Sequence, residues 1–169
     1  MTTSTCDVCG AVASQVGTVD ASTGLRLASW WHRVGATFSD NLILLIPTYL
    51  AFILVGSVLG VLAGFIASTG VQGLYLVKLL ASPRGQTIGN RIVGTRVRDE
   101  KTGQAINSQQ AFKRWGFVAL YQMVIVLLFG RYALYSLGVV SLIDYLYPLF
   151  DEHKRTVHDR FAGTIVVMA

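Results

Sequence analysis

The sequence predicts an all-α integral membrane domain: about four transmembrane helices in two hairpins, with a cytosolic interfacial helix and a small β excursion between them. Three observations carry that prediction. The 169 residues are 53% hydrophobic and only 14% charged, with a mean hydropathy of +0.54, outside the range of ordinary soluble domains. No charged residue occurs between Asn41 and Val77, a run about twice the ~20 residues that cross a bilayer as one helix. Eight of the fourteen lysines and arginines fall between Lys78 and Arg114, where they mark one cytosolic connection by the positive-inside rule. The net charge of +5 is therefore a topological signal and does not point to nucleic acid.

Residues 1–24 carry no basic leader followed by an apolar core, so they are not read as a secretory signal. They form a flexible tail whose one recognisable element is the CxxC knuckle of Cys6 and Cys9. Two cysteines supply half the ligands of a structural zinc. The knuckle is then an unmetallated remnant, a redox pair, a site completed by His32, or half of a four-cysteine zinc site shared between two protomers.

The transmembrane domain runs from residue 25 to 169. Trp30 and Trp31 form an interfacial aromatic pair where the first helix begins. Arg33 lies at the mouth of that helix, and Asp40 lies about 13 Å beyond Trp31, close to mid-bilayer. An ionised group at that depth needs a partner or must titrate. Pro47 is expected to kink the helix by freeing a backbone carbonyl. Gly56, Gly60 and Gly64 form a GxxxGxxxG ladder of the kind that lets helices approach closely and favours a homo-oligomer. The first hairpin spans Trp31 to Leu80, with its turn placed loosely between Gly56 and Gly73.

From Ser82 to Ser108 the composition turns basic. It reads as a short helix with Ile88, Ile92 and Val93 toward the membrane, then a two-stranded excursion turning at Lys101 to Gly103. Gly85 and Gly89 do not fit the spacing of a phosphate loop. A basic collar on anionic lipid headgroups is the better reading. The third crossing is Phe112 to Phe129 and the fourth Tyr132 to Phe150, which leaves both termini cytosolic. Gln122 and Asp144 then sit at similar depths and share a polar layer with Asp40 in the inner half of the bundle. Two carboxylates in one dry site cannot easily both ionise, so one should hold a proton or a cation should lie between them. In the tail, His158 and Asp159 lack the further ligands of a metal phosphohydrolase. Asp159 is instead an acceptor for Arg33, and the β-branched end is a candidate strand partner for Thr95 to Arg98. No nucleophile and base are recognisably spaced, so an enzyme is not expected.

Arg33 with Asp40, then GQTIGNRIVGTRVRD at Gly85 to Asp99, then RTVHDRFAGTIVV at Arg155 to Val167 resemble the RDD family of membrane proteins, named for one arginine and two aspartates. The resemblance spans Leu25 to Val167. It assigns the family charges to Arg33, Asp40 and Asp159, with Asp144 the other choice for the second aspartate. Asn90 stands where the family often has lysine. What the resemblance implies is a plasma-membrane protein, with alkali cation/proton antiport attributed to some members. Asp40, Asp144 and Gln122 are then the candidate ion or proton site. The competing expectation is a non-transporting adaptor whose buried charges are structural.

Overall fold

The computed structural model describes residues 19–20, 23–130, 133–151 and 154–169, so Cys6 and Cys9 lie outside the described residues. Helix α1, Trp30–Leu59, and helix α2, Val61–Leu80, form the first hairpin. Helix α3, Ile88–Ile92, and strand β1, Thr95–Asp99, follow. Helix α4, Ser108–Phe129, and helix α5, Ala133–Leu146, make the second hairpin. A 3-10 turn at Tyr147–Leu149, helix α6, Val157–Ala162, and strand β2, Thr164–Met168, complete the chain.

Among the described residues, α1, α2 and α4 are long and apolar enough to cross a membrane. Their outer faces carry Trp31, Phe38, Leu42, Ile46, Leu54, Val58, Leu120 and Leu128, all exposed, as a surface solvated by lipid requires. Helix α5 has 14 residues, about 21 Å at 1.5 Å per residue, and is shorter than the ~30 Å hydrocarbon core. Among the described residues, this is an integral membrane fold of three full-length apolar helices with a shorter fourth.

The turn of the first hairpin corrects the reading of the glycine ladder. Gly60 is the turn itself, at φ +92 and ψ 164, a backbone state that L side chains rarely adopt. It breaks the helix, so Gly56, Gly60 and Gly64 do not line one helical face. Gly56 and Gly64 instead meet across the turn, where a Cβ on Gly64 would lie 2.6 Å from the Phe52 carbonyl oxygen and 3.0 Å from Gly56 Cα. The close approach that glycine permits is spent within one chain. Helix α1 continues through Pro47, and Thr48 Oγ1 donates to the Leu44 carbonyl at 2.6 Å.

The β excursion is also rearranged. Strand β1 pairs antiparallel with β2, from Thr95 opposite Met168 to Asp99 opposite Thr164, and the expected hairpin about Lys101 to Gly103 contributes one bridge, Arg98 to Ala105. The β-branched tail wins because Thr164, Ile165, Val166 and Val167 are all buried there. Leu27 bridges to Val167 on the opposite edge of β2. Ala28, Leu80, Val97, Ile106, Ala111 and Val166 form a small apolar core beneath the helices. Burial of such side chains, about 25 cal/mol per Å² of apolar area, fixes this layer against the ends of α1, α2 and α4.

Candidate functional site

Two buried aspartates organise the polar interior, and each is held differently. Asp40, on α1, accepts hydrogen bonds from Tyr75 Oη at 2.6 Å, Thr87 Oγ1 at 2.6 Å and the Gly89 backbone N–H at 2.7 Å. All three donors are neutral. Thr87 is also the N-cap of α3, accepting from Asn90 N–H at 3.1 Å, while Tyr75 Oη accepts from Ile88 N–H at 3.1 Å. Asp40 therefore ties the start of α3 to the transmembrane hairpin, where the free N–H groups of a helix end favour an anion. Gly89 is required by contact: a Cβ there would fall 2.1 Å from the Ala36 carbonyl oxygen and 2.7 Å from Asp40 Cγ. Ile88 and Ile92 on the same short helix are exposed, as an element lying on a membrane surface would present them.

Asp159, in α6, is fully buried and is held by charge. Arg33 Nη1 reaches its Oδ2 at 2.5 Å, and Arg114 Nη1 pairs with its Oδ1. Thr156 and Asp159 form a reciprocal capping box at the start of α6. Thr164 Oγ1 accepts from Arg114 Nη1 at 3.1 Å. Arg33 thus stands with Asp159 and not with Asp40, from which it is two helical turns, about 10 Å, removed.

Asp144 has hydrogen-bond partners of its own. Its carboxylate accepts from the Val157 and His158 backbone N–H groups at 2.9 and 3.3 Å, and it meets His158 Nδ1 at 2.6 Å. It belongs with α6 and the arginine cluster, and His158 Nε2 lies 3.8 Å from Asp159 Oδ1. The physical reason is the turn at Tyr147–Leu149, which folds the chain back so that the N-terminus of α6 docks on α5. Burial pulls the His158 pKa below its ordinary 6.5, nearby Arg114 and Arg33 add to this, and the bond to Asp144 opposes it.

Between these two clusters lies a cavity of about 290 Å³, lined among others by Arg33, Asp40, Arg114, Gln122, Asp144 and His158. Gln122 faces it from α4. Asp40 and Asp144 thus share a cavity but not a hydrogen-bond set. Reading by depth along each helix placed Asp40, Gln122 and Asp144 near one another; it missed Tyr75 and Thr87 as partners of Asp40, His158 as the partner of Asp144 and Arg114 as a partner of Asp159. Arg114 had a signal, being a charge at the start of an apolar run. His32, by contrast, meets Ser29 Oγ at 2.6 Å at the start of α1.

The RDD family model matches residues 27–163, a span that contains α1 through α6 and every residue of the two clusters but Thr164. The chain belongs to the RDD family. An RDD-length relative, the uncharacterized protein YckC of Bacillus subtilis (strain 168), is 32% identical over 142 residues, covering 84% of this chain and 85% of that protein. No solved structure matches. For this RDD protein, then, the clusters about Asp40 and Asp159 and the cavity between them are the places where chemistry can be sought.

Proposed function

We propose that this RDD protein is a transporter of the plasma membrane, with four crossings and both termini cytosolic, that exchanges an alkali cation for a proton through the polar cavity. One observation carries the reading. Arg33 and Arg114 are set against Asp159, Asp40 and Asp144 on or directly beneath the cavity wall, so the buried charges leave one negative charge in excess while His158 is neutral. A surplus carboxylate in a low-dielectric site favours the binding of a cation or a proton. Asp40 and Gln122 offer oxygen ligands suited to an alkali cation, and the Asp144–His158 pair, joined at 2.6 Å, is a place where a proton can reside.

The test is proton movement in proteoliposomes on a sodium or potassium pulse. The reading expects flux in the wild type and its loss in Asp40→Asn, whose amide keeps one acceptor for the neutral donors. Absent flux in folded wild-type protein, or unchanged flux in Asp40→Asn, sinks it.

A second reading, a non-transporting membrane adaptor, is favoured by the fact that the three aspartates fasten two short segments: Asp40 holds α3, while Asp144 and Asp159 hold α6. On that reading Asp40→Asn lowers stability or assembly and changes no flux. The exposed Ile88 and Ile92, beside the basic collar, support contact of either kind of protein with anionic lipid.

A further inference from the structure

We propose that the cavity takes a small organic ammonium ion with the size and character of a quaternary amine. This rests on the reading of the cavity as a cation site, but neither on an alkali ion as its occupant nor on coupling to protons. The balance of charge is uneven along the cavity. Asp144, Asp159, Arg33 and Arg114 stand together about α6, two negative groups against two positive ones, so that end is neutral when His158 is neutral. Asp40, at the other end, meets only a phenol, a hydroxyl and a backbone amide. Its charge is the one left over, and in a low-dielectric interior it attracts a cation without needing to touch it.

Size and wall chemistry narrow the cation. A volume of about 290 Å³ has room for about ten waters at ~30 Å³ each, far more than a bare metal ion fills and close to the small end of pockets for organic ligands. The walls are mixed in a way that suits a diffuse charge. Leu44, Leu76 and Val118 line the cavity, as do the aromatic residues Tyr121 of α4 and Tyr145 of α5. Tyr121 Oη lies 3.5 Å from Ser141 Oγ, and Ser141 is one helical turn before Tyr145, so the two tyrosines stand on the same wall. Aromatic rings attract an ammonium whose charge is spread over methyl groups. Such an ion asks for no oxygen ligand, so it can sit beside Asp40 without displacing the three donors that hold the carboxylate. Gln122, one residue after Tyr121, lines the cavity as a neutral acceptor for a hydroxyl or N–H that the ion carries.

The experiment is isothermal titration of the purified full-length protein in detergent, in buffer free of sodium and potassium, with tetramethylammonium, with choline and with 3,3-dimethyl-1-butanol, the uncharged isostere of choline. The expected result is saturable binding of tetramethylammonium or choline near one per chain, with the isostere at least about tenfold weaker because it lacks the charge that answers Asp40. Tyr121→Leu should weaken binding about threefold or more, the scale of a cation–π contact, whereas Tyr121→Phe, which keeps the ring, should leave it within about twofold. Asp40→Asn should weaken it at least about tenfold. The isostere needs no variant, so the outcome stands even where a substitution does not fold. No saturable binding of either ammonium ion, the isostere bound as tightly as choline, or binding unchanged in every folded variant among Tyr121→Leu and Asp40→Asn overturns the proposal. Ammonium binding without proton flux on a sodium or potassium pulse would leave this site standing and remove the alkali exchanger; flux without ammonium binding would do the reverse.

Discussion

Asp40 and Asp159, both buried, make an instructive pair. Asp40 is surrounded by a phenol, a hydroxyl and a backbone amide, all neutral, whereas Asp159 sits between two guanidinium groups. Each carboxylate anchors the first turn of a short helix, α3 in one case and α6 in the other. The difference lies in what is stranded when the acid is lost. Removing Asp159 leaves two cations without their counter-ion in a buried site; removing Asp40 leaves three dipoles. Neutral donors can be met by a water or by an amide, but a buried cation has few substitutes. The Asp159 cluster is accordingly the more rigid junction, and the Asp40 cluster the one better able to exchange partners.

The comparison breaks first at Asp159. Asp159→Asn should cost about 3–5 kcal/mol, the usual penalty for leaving a buried charge unpaired, read as a large fall in thermal unfolding temperature in detergent. A loss under 1 kcal/mol would mean that the arginines find other partners. At the Asp40 cluster the contact most sensitive to size is glycine: Gly89→Ala should cost about 1–3 kcal/mol by forcing α3 off α1, and it should loosen hydrogen-exchange protection in α3 ahead of α6. Equal loosening of both helices would show that the clusters are one unit. Tyr75→Phe removes one of three donors to Asp40 and should cost about 1 kcal/mol in the same unfolding assay.

The pH response supplies the smallest and most specific contrast. His158 has a folded pKa below its ordinary 6.5 because burial and two arginines disfavour its charged form, despite the bond to Asp144. Below 6.5 the unfolded chain therefore takes up more protons at this position than the folded one. Its contribution to stability is intact above that pH and is lost as pH falls toward the folded pKa. Unfolding temperatures followed downward from pH 7 should decline, and His158→Gln should flatten the part of the decline due to this group. A slope identical in both proteins would place the acid sensitivity elsewhere.

Much of this arrangement is legible in the chain, for reasons specific to particular residues. Arg33 and Asp40 stand out because a charge is rare beside an apolar run, and helical rise alone shows that they cannot meet. The pairing of the β-branched tail with the stretch after Val93 is likewise readable from composition. The partners of Asp40 are not. Tyr75 and Thr87 are unremarkable in their surroundings, and the backbone N–H of Gly89 leaves no mark in a sequence at all. Asp144 does line the same cavity as Asp40 and Gln122, but its partners are hidden from a reading by depth, which ignores the turn that follows, through Pro148, and brings α6 back to cap it. Gly60 misled for a related cause: a glycine at every fourth position fits a packing face and a turn equally well, and its positive φ decides between them.

The central claim, that the cavity between the two clusters is a working site and more than a by-product of two fastenings, is tested most directly at Gln122. This side chain lines the cavity from α4 and belongs to neither aspartate's set of hydrogen bonds. Proton flux driven by a sodium or potassium pulse should be measured for Gln122→Leu beside the wild type, with unfolding temperatures matched. The account predicts flux in the wild type and its fall to the level of protein-free vesicles in the variant, with stability unchanged. Flux equal in the two proteins, or absent from well-folded wild type, would contradict it.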